Sequence, residues 1–540
     1  MSDYRIGANM KNKKTHITIF LLSIVLWAVT FITDTKIFTH DPLNMNCLPI
    51  DDSMVTCMHI LTKLCVLLFL FGFFEFLFHI KKRKESLLVF FILLAIYCIG
   101  LLATYPGYYM SDDPIIFAYA TRYYPVYWHC YLTSVFYMTG ISLFPASCGP
   151  VLLSDILYAM VFTYLFDRTK QYYNNKSGYL VLICAIAPFT LLGALMCFRP
   201  AVYSSFFVFY FVFLFFEWKE NASLSFPKLL MLAFLTALLS IWRSESLILL
   251  PIGFILIGLT YSKDKFFSKK TWKTAGLFFL CSILLFLIVK LPQSHGENTY
   301  YGSDYLIIST TRPLSVIVHR DQTYEGSKED LANISAITEF GYLHNDSLSC
   351  SAYNRYNSDH NEGRYTETGA DEETQKAYLK SAFRLILHNL DLYLGERLQL
   401  FCVTNGIFNY NKEMVLKLKP VVTTDFPLYD HDRAYGFEML DAYKRVPLSY
   451  QENYAMVLFH FGGEAYIPML ILLSILTIIT LCKRQWFPAF CFLALCAREA
   501  VIFLTAPASF IQYSYPMMYT TLALGLLMLV DYLTRRKTQK

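Results

Sequence analysis

The sequence predicts an all-α polytopic membrane protein of about 12 transmembrane helices, with interface jaw helices and a mixed extracytoplasmic region. Three observations lead there. Of 540 residues, 55% are hydrophobic and only 16% charged, with a mean hydropathy of +0.40, whereas an ordinary soluble domain is about 25% charged. Twelve apolar windows are long enough to cross roughly 30 Å of hydrocarbon. Lysines and arginines collect at the window ends on one face, as retention on the cytoplasmic side requires. This composition excludes a soluble globular enzyme, a disordered chain and a collagen. A net charge of +5 gives no ground for nucleic-acid binding.

The windows run near 16–33, 58–80, 86–103, 150–166, 179–197, 200–216, 229–242, 246–261, 273–291, 465–482, 486–505 and 513–533. The basic start followed by the first window superficially suits a signal peptide. The run exceeds a signal core and no small-residue cleavage pattern follows, so it is read as a retained span. Lys63, just inside the second window, is expected to snorkel.

A thirteenth apolar stretch, 127–144, decides the orientation of everything after it. If it does not cross, Lys11, Lys13, Lys14, the run Lys81 to Lys84, Arg168, Lys170, the cluster from Lys263 to Lys273, Lys483, Arg484, Arg535, Arg536 and Lys537 share one face, with both termini cytoplasmic. The stretch is then expected to lie in the interface as an amphipathic helix, with Tyr and Trp at headgroup level. Three regions follow: a transmembrane module 1–291 with an outward loop 104–149, an extracytoplasmic region 292–464, and C-terminal spans in 465–540. In the second region Tyr378, Leu379, Phe383, Leu387, Leu390, Leu394 and Leu398 recur at helical spacing and suit a membrane-hugging helix. The 14 cysteines include no CxxC. Cys47 and Cys57 share a short loop in which a disulfide is one of the open readings.

The most informative peptide is Tyr105-Pro106-Gly107-Tyr108-Tyr109-Met110-Ser111-Asp112-Asp113-Pro114. Pro106 and Gly107 turn the chain at the membrane surface, and Pro114 biases Asp113 away from helix. Adjacent carboxylates at a membrane boundary suit deprotonation of a hydroxyl nucleophile, or a divalent metal near a phosphate leaving group. The structural reading, Ser111 or Asp112 capping a helix that begins near Ile115, stands beside the catalytic one and is compatible with it. His129, in an aromatic segment, is either structural or a phosphate or sugar contact. Arg199 lies between the fifth and sixth windows. Arg243 and Glu245 lie between two short windows, as an ion pair that neutralises itself, which makes Arg199 the better anion ligand. Pro507, Gln512, Tyr513, Tyr515 and Pro516 cluster where the last window begins. The scattered histidines of 292–464 show no HExxH, so a zinc protease is not indicated.

The order of these features resembles the GT-C superfamily of integral-membrane glycosyltransferases. Asp112-Asp113 resembles the family's early outward acid, Tyr124-Pro125-Val126-Tyr127-Trp128-His129 its jaw segment, and Ala187-Pro188-Phe189 its Pro-bearing span. Ala506-Pro507 through Ile511-Gln512-Tyr513 to Pro516 resembles its late "P…RY..P" segment. Tyr105-Pro106-Gly107 followed by Asp112 is also similar to an uncharacterised bacterial branch. Gln512 stands where the family commonly has Arg, which shifts phosphate binding towards Arg199 and Arg243.

The resemblance implies inverting transfer of a sugar from a polyprenyl-phosphate donor to a hydroxyl on a glycan or lipid acceptor. The site would be the outer face of a bacterial plasma membrane, in cell-surface glycan synthesis or modification. Asp112, ahead of Asp113, would be the base. Substrate contacts would come from His129, Arg199, Arg243, Glu245, Gln512 and Tyr513; a divalent metal is compatible but no motif demands one. Two rival readings remain: a transporter or flippase of lipid-linked oligosaccharide, which usually shows matching halves, and a polysaccharide polymerase.

Overall fold

The computed structural model describes residues 2–38, 52–109, 113–261, 269–341, 343–345, 352–353, 368–404, 465–506 and 511–538. Cys47, Ser111, Asp112 and Pro507 lie outside the described residues. The helices are α1 (Ser2–Ile37), α2 (Asp52–Ile80), α3 (Lys84–Ala103), α4 (Asp113–Ala120), α5 (Tyr131–Leu143), α6 (Gly149–Tyr173), α7 (Ile183–Ile186), α8 (Pro188–Ala194), α9 (Arg199–Lys219) and α10 (Phe226–Trp242). They continue with α11 (Leu249–Thr260), α12 (Lys269–Gly296), α13 (Asp304–Ile317), α14 (Ser327–Ser335), α15 (Glu372–His388), α16 (Leu390–Thr404), α17 (Tyr466–Cys482), α18 (Trp486–Thr505) and α19 (Tyr515–Thr538). Among the described residues, strand pairing is confined to His344–Asn345 against Ala352–Tyr353 and one bridge between Tyr108 and Met196.

The chain is an all-α polytopic membrane protein. Among the described residues, eight helices are long and apolar enough to cross a bilayer, nine if one bent pair counts as a span, and three shorter apolar helices account for the remaining windows. Burial sorts them: 78% of the span window is covered in α6 and α9 but only 17% in α1 and α12. The first two therefore form the interior and the last two present side chains to lipid.

The bent pair is the window 179–197. It consists of a tight 3₁₀ stretch Lys176–Leu182 running into α7, then α8 at 60° to it. Pro188 has no N–H to continue the helix and holds Ala187 in an extended conformation, φ −58° and ψ 139°. The chain then leaves α8 at Leu195 and crosses to α9 without helix.

Two sequence expectations fail. The stretch 127–144 does form a helix too short to span, since the 13 residues of α5 cover only about 20 Å. It is not amphipathic, however: eleven of those residues are buried, Thr133, Ser134, Thr139 and Ser142 among them. It packs against α2, α4 and α6, and internal side-chain hydrogen bonds such as Thr139 Oγ1 to Val135 O at 2.7 Å explain how polar residues sit all round it. Nor does Lys63 snorkel. It is 3% exposed, and its ammonium donates to Asp34 at 2.6 Å and to the Thr30 carbonyl at 3.1 Å. Desolvating an ammonium is tolerable when it is so paired.

By compactness the chain divides into two units. The first takes the described residues of 1–212 and 522–540, the second those of 213–417 and 463–521. In the first, α3 packs on α6, and Asp167 near the end of α6 accepts from Ser86 at 2.7 Å and from Arg83 of the basic run. In the second, α10 and α11 pack on α12, and α17 on α18.

Also in the second unit, α13, α14 and α15 enclose a core of Ile307, Leu314, Ile334, Tyr378, Ala382 and Leu385. The helical repeat foreseen over 378–398 is broken at Asn389, whose side chain bonds the Leu385 carbonyl at 2.8 Å. Tyr378 serves the core, whereas Phe383, Leu387, Leu390, Leu394 and Leu398 stay between 48% and 67% exposed.

Candidate functional site

The acidic peptide turns where its sequence requires. Gly107 has φ +115°, and a Cβ there would stand 2.6 Å from the Val151 side chain, so only glycine fits both the conformation and the space. The next residue, Tyr108, donates its N–H to the Leu195 carbonyl at 3.0 Å and pairs in parallel with Met196. The break after α8 supplies that extended partner. The loop following α3 is thereby joined to the segment leading into α9.

Asp113 opens α4, two residues earlier than the helix expected near Ile115, and is fully buried. The Tyr137 hydroxyl of α5 donates to its Oδ1 at 2.7 Å, and the Cys197 thiol donates to that same hydroxyl at 3.1 Å. Burial pushes the Tyr137 hydroxyl up, so it stays protonated and remains a donor. A carboxylate at the first residue of a helix is also favoured by the backbone N–H groups there. Tyr109 closes the other side by donating to the Ser147 carbonyl. The geometry fixes Asp113 rigidly out of water, while its neighbour Asp112 lies outside the described residues.

Arg199, half-buried, opens α9 two residues after Cys197. The structure thus joins Asp113 and the entrance to Arg199 through Tyr137 and Cys197. His129 ends a turn Tyr127–His129 that leads into α5, and its carbonyl accepts from Thr133 at 2.7 Å.

The other candidates belong to the second unit. Arg243 ends α10, and a tight turn Ser244–Ser246 links it to α11. Its Nε donates to Glu245 at 2.7 Å, and its guanidinium lies 4.9 Å from the Tyr513 ring centroid. Gln512 belongs to the turn Ile511–Ser514, with its side chain outside what is described.

The Arg243–Glu245 pair is not self-contained, as had been expected. Arg498 of α18 donates to Glu245 at 3.0 Å and to the Tyr513 carbonyl at 2.8 Å. Adjacent Glu499 accepts from Ser514 at 2.7 Å and from Tyr466 at 3.1 Å. Beside this network lies a cavity of about 30 Å³, lined among others by Arg397, Thr404, Tyr466, Glu499, Tyr513 and Ser514. That exceeds the roughly 10–15 Å³ one water needs.

Compared with known proteins, the chain matches no family model, no curated protein and no solved structure.

Sequence reasoning missed Arg498, Glu499, Arg312, Arg397 and Asp155. The first two sit inside an apolar window, where any ionisable residue is a functional-site signal. Asp155 carries the same signal in α6: it is fully buried, and among the described residues neither carboxyl oxygen has a hydrogen-bond partner. Arg312 and Arg397 had no local signal. Among the described residues no three His, Cys, Asp or Glu side chains come together as a metal site.

Proposed function

We propose that the chain is a membrane glycosyltransferase that moves a sugar from a polyprenyl-phosphate donor to a hydroxyl of a glycan or lipid acceptor on the outer face of a bacterial plasma membrane. The observation that carries the reading is the pairing of Tyr108 with Met196. It joins an acid-bearing loop to a segment that ends in a cation, and the reaction needs both. A carboxylate accepts the acceptor hydroxyl's proton as the new glycosidic bond forms at the anomeric carbon. The bond from that carbon to the phosphate oxygen breaks, and the phosphate leaves with the electron pair. Asp112 is the base in this scheme, worth about 10²–10⁴-fold. Asp113, sequestered against Tyr137, holds the loop. Arg199 steadies the phosphate's growing charge, and the lipid-facing helices receive the polyprenyl chain.

The test is sugar transfer from a polyprenyl-phosphate donor by the purified full chain in lipid, with Asp112→Asn as the variant. A loss of at least about 100-fold with unchanged thermal stability is expected. Retained transfer removes the proposed base, and absence of transfer by the unaltered chain on every donor tested removes the reaction. The bend between α7 and α8 favours a second reading, a flippase, because broken helices are a transporter feature. Movement of a lipid-linked oligosaccharide across vesicles, unaffected by Asp112→Asn, is the result that would select it.

A further inference from the structure

Among the described residues, the second unit holds an arginine cluster that is short of one anion. Arg312 of α13 is completely buried. Its Nε donates to Glu396 of α16, but among the described residues neither Nη1 nor Nη2 meets a hydrogen-bond partner. Buried donors left unmade cost about 1–3 kcal/mol each, and more when charged. Glu396 cannot neutralise Arg312 alone, because it also pairs with the neighbouring Arg397. Arg397 in turn donates to the Ala506 carbonyl at 2.6 Å and lines the cavity described above.

The other carboxylates of the network are already engaged. Glu245 takes Arg243 and Arg498, and Glu499 takes Arg498, Ser514 and Tyr466. Among the described residues, Arg312 and Arg397 share the one carboxylate of Glu396: two cations against one anion, all three buried. Isolated charge in a low-dielectric interior is costly, so buried charges are paired.

We infer that the cavity beside Arg397 is a binding site for a phosphate oxyanion, whose charge completes the Arg312–Glu396–Arg397 cluster. A guanidinium offers fork-shaped donors that match phosphate oxygens; the Ser514 and Tyr466 hydroxyls at the cavity already donate to Glu499 and the Thr404 hydroxyl to the Leu400 carbonyl, so Arg397 is the group that meets the anion. The inference does not depend on sugar transfer. The phosphate could be free or the headgroup of a lipid, and the chemistry recognised is the same.

The experiment uses the full chain purified in detergent and follows its thermal midpoint against inorganic phosphate and, separately, farnesyl phosphate, with sodium chloride matched throughout. Wild type is expected to rise with phosphate in a saturable way. Arg397→Gln and Arg312→Gln should weaken the apparent affinity at least tenfold, while Arg397→Lys retains part of it. If a glutamine variant fails to fold, protection of wild-type Arg397 from phenylglyoxal by phosphate, read by peptide mass spectrometry, takes its place. Much tighter action of farnesyl phosphate assigns the site to a lipid headgroup; equal action assigns it to free phosphate. No saturable shift and no protection by either probe, or unchanged affinity in both glutamine variants, overturns the inference.

Discussion

Glu245 and Arg498 are 253 residues apart in the chain, and a guanidinium nitrogen of Arg498 donates to the Glu245 carboxylate at 3.0 Å. That bond ties the turn between α10 and α11 to α18. It also converts a local Arg243–Glu245 pair into a shared carboxylate between two buried guanidinium groups. Glu245→Gln removes the charge both arginines share. We expect a loss of about 3–5 kcal/mol, the usual cost of stranding buried charge, seen as a lower thermal midpoint in detergent; a change under 1 kcal/mol would mean that other groups already satisfy both arginines.

Lys63 and Asp34 form a smaller version of the same arrangement, with His59 also bonded to the Asp34 carboxylate at 3.0 Å. Lys63→Met alone should destabilise, because Asp34 loses the ammonium that bonds it at 2.6 Å. Lys63→Met combined with Asp34→Leu should recover most of the loss, as buried pairs exchanged for apolar residues often do. A double-mutant cycle on thermal unfolding measures this, and simple additivity would argue against the pair.

Asp155 gives the opposite expectation. A buried carboxyl without a hydrogen-bond partner is a standing cost, so Asp155→Leu should raise stability by roughly 1–3 kcal/mol. If stability rises while activity falls, the residue is retained for function. If stability falls, Asp155 has a partner in the working protein.

The exposed row Phe383, Leu387, Leu390, Leu394 and Leu398 is suited to lipid. Single cysteines at 387, 394 and 398 should react more slowly with a water-soluble maleimide in vesicles than in detergent-free aqueous peptide controls. A cysteine at exposed Glu372 should react fast. Uniformly fast labelling would place the row in water.

Acid should loosen the junction of α15 and α16. Arg320 bonds Asp391 at 2.8 Å and holds its carboxyl below the usual carboxylate range. The folded pKa lies under the unfolded one, so this contribution is present at neutral pH and disappears as pH falls through the folded value. Both groups are exposed, so the effect is small and salt-sensitive. Lower protection of the amides around Leu390 at about pH 3, exchange being taken relative to the intrinsic rate at each pH, and a smaller loss of protection in roughly 1 M salt at neutral pH, is the expected pattern.

The twelve helical windows were legible because burying apolar side chains in lipid needs long runs, and runs are visible in one dimension. Gly107 was legible as a turn for a similarly local reason, whereas the window 179–197 was read as one span and the break at Pro188 came from the structure. The burial of α5 was not. A mixture of Tyr, Thr, Ser and Phe reads as an interface helix unless neighbours are known to cover every side. Arg243 and Glu245 were legible as a local pair and Tyr513 was singled out, but nothing local linked the pair to Tyr513, Arg498 or Glu499.

The amino-acid order alone thus showed that the chain is a membrane protein, roughly where its apolar helices run, and that an acidic loop follows α3. Folding in three dimensions decided which groups meet: the backbones of Tyr108 and Met196, Lys63 with Asp34, Arg312 and Arg397 over Glu396. The reason is range. Hydrophobic runs and backbone restrictions act within a few residues of themselves, whereas a buried charge is stable only beside its partner, and that partner comes from wherever the fold brings it.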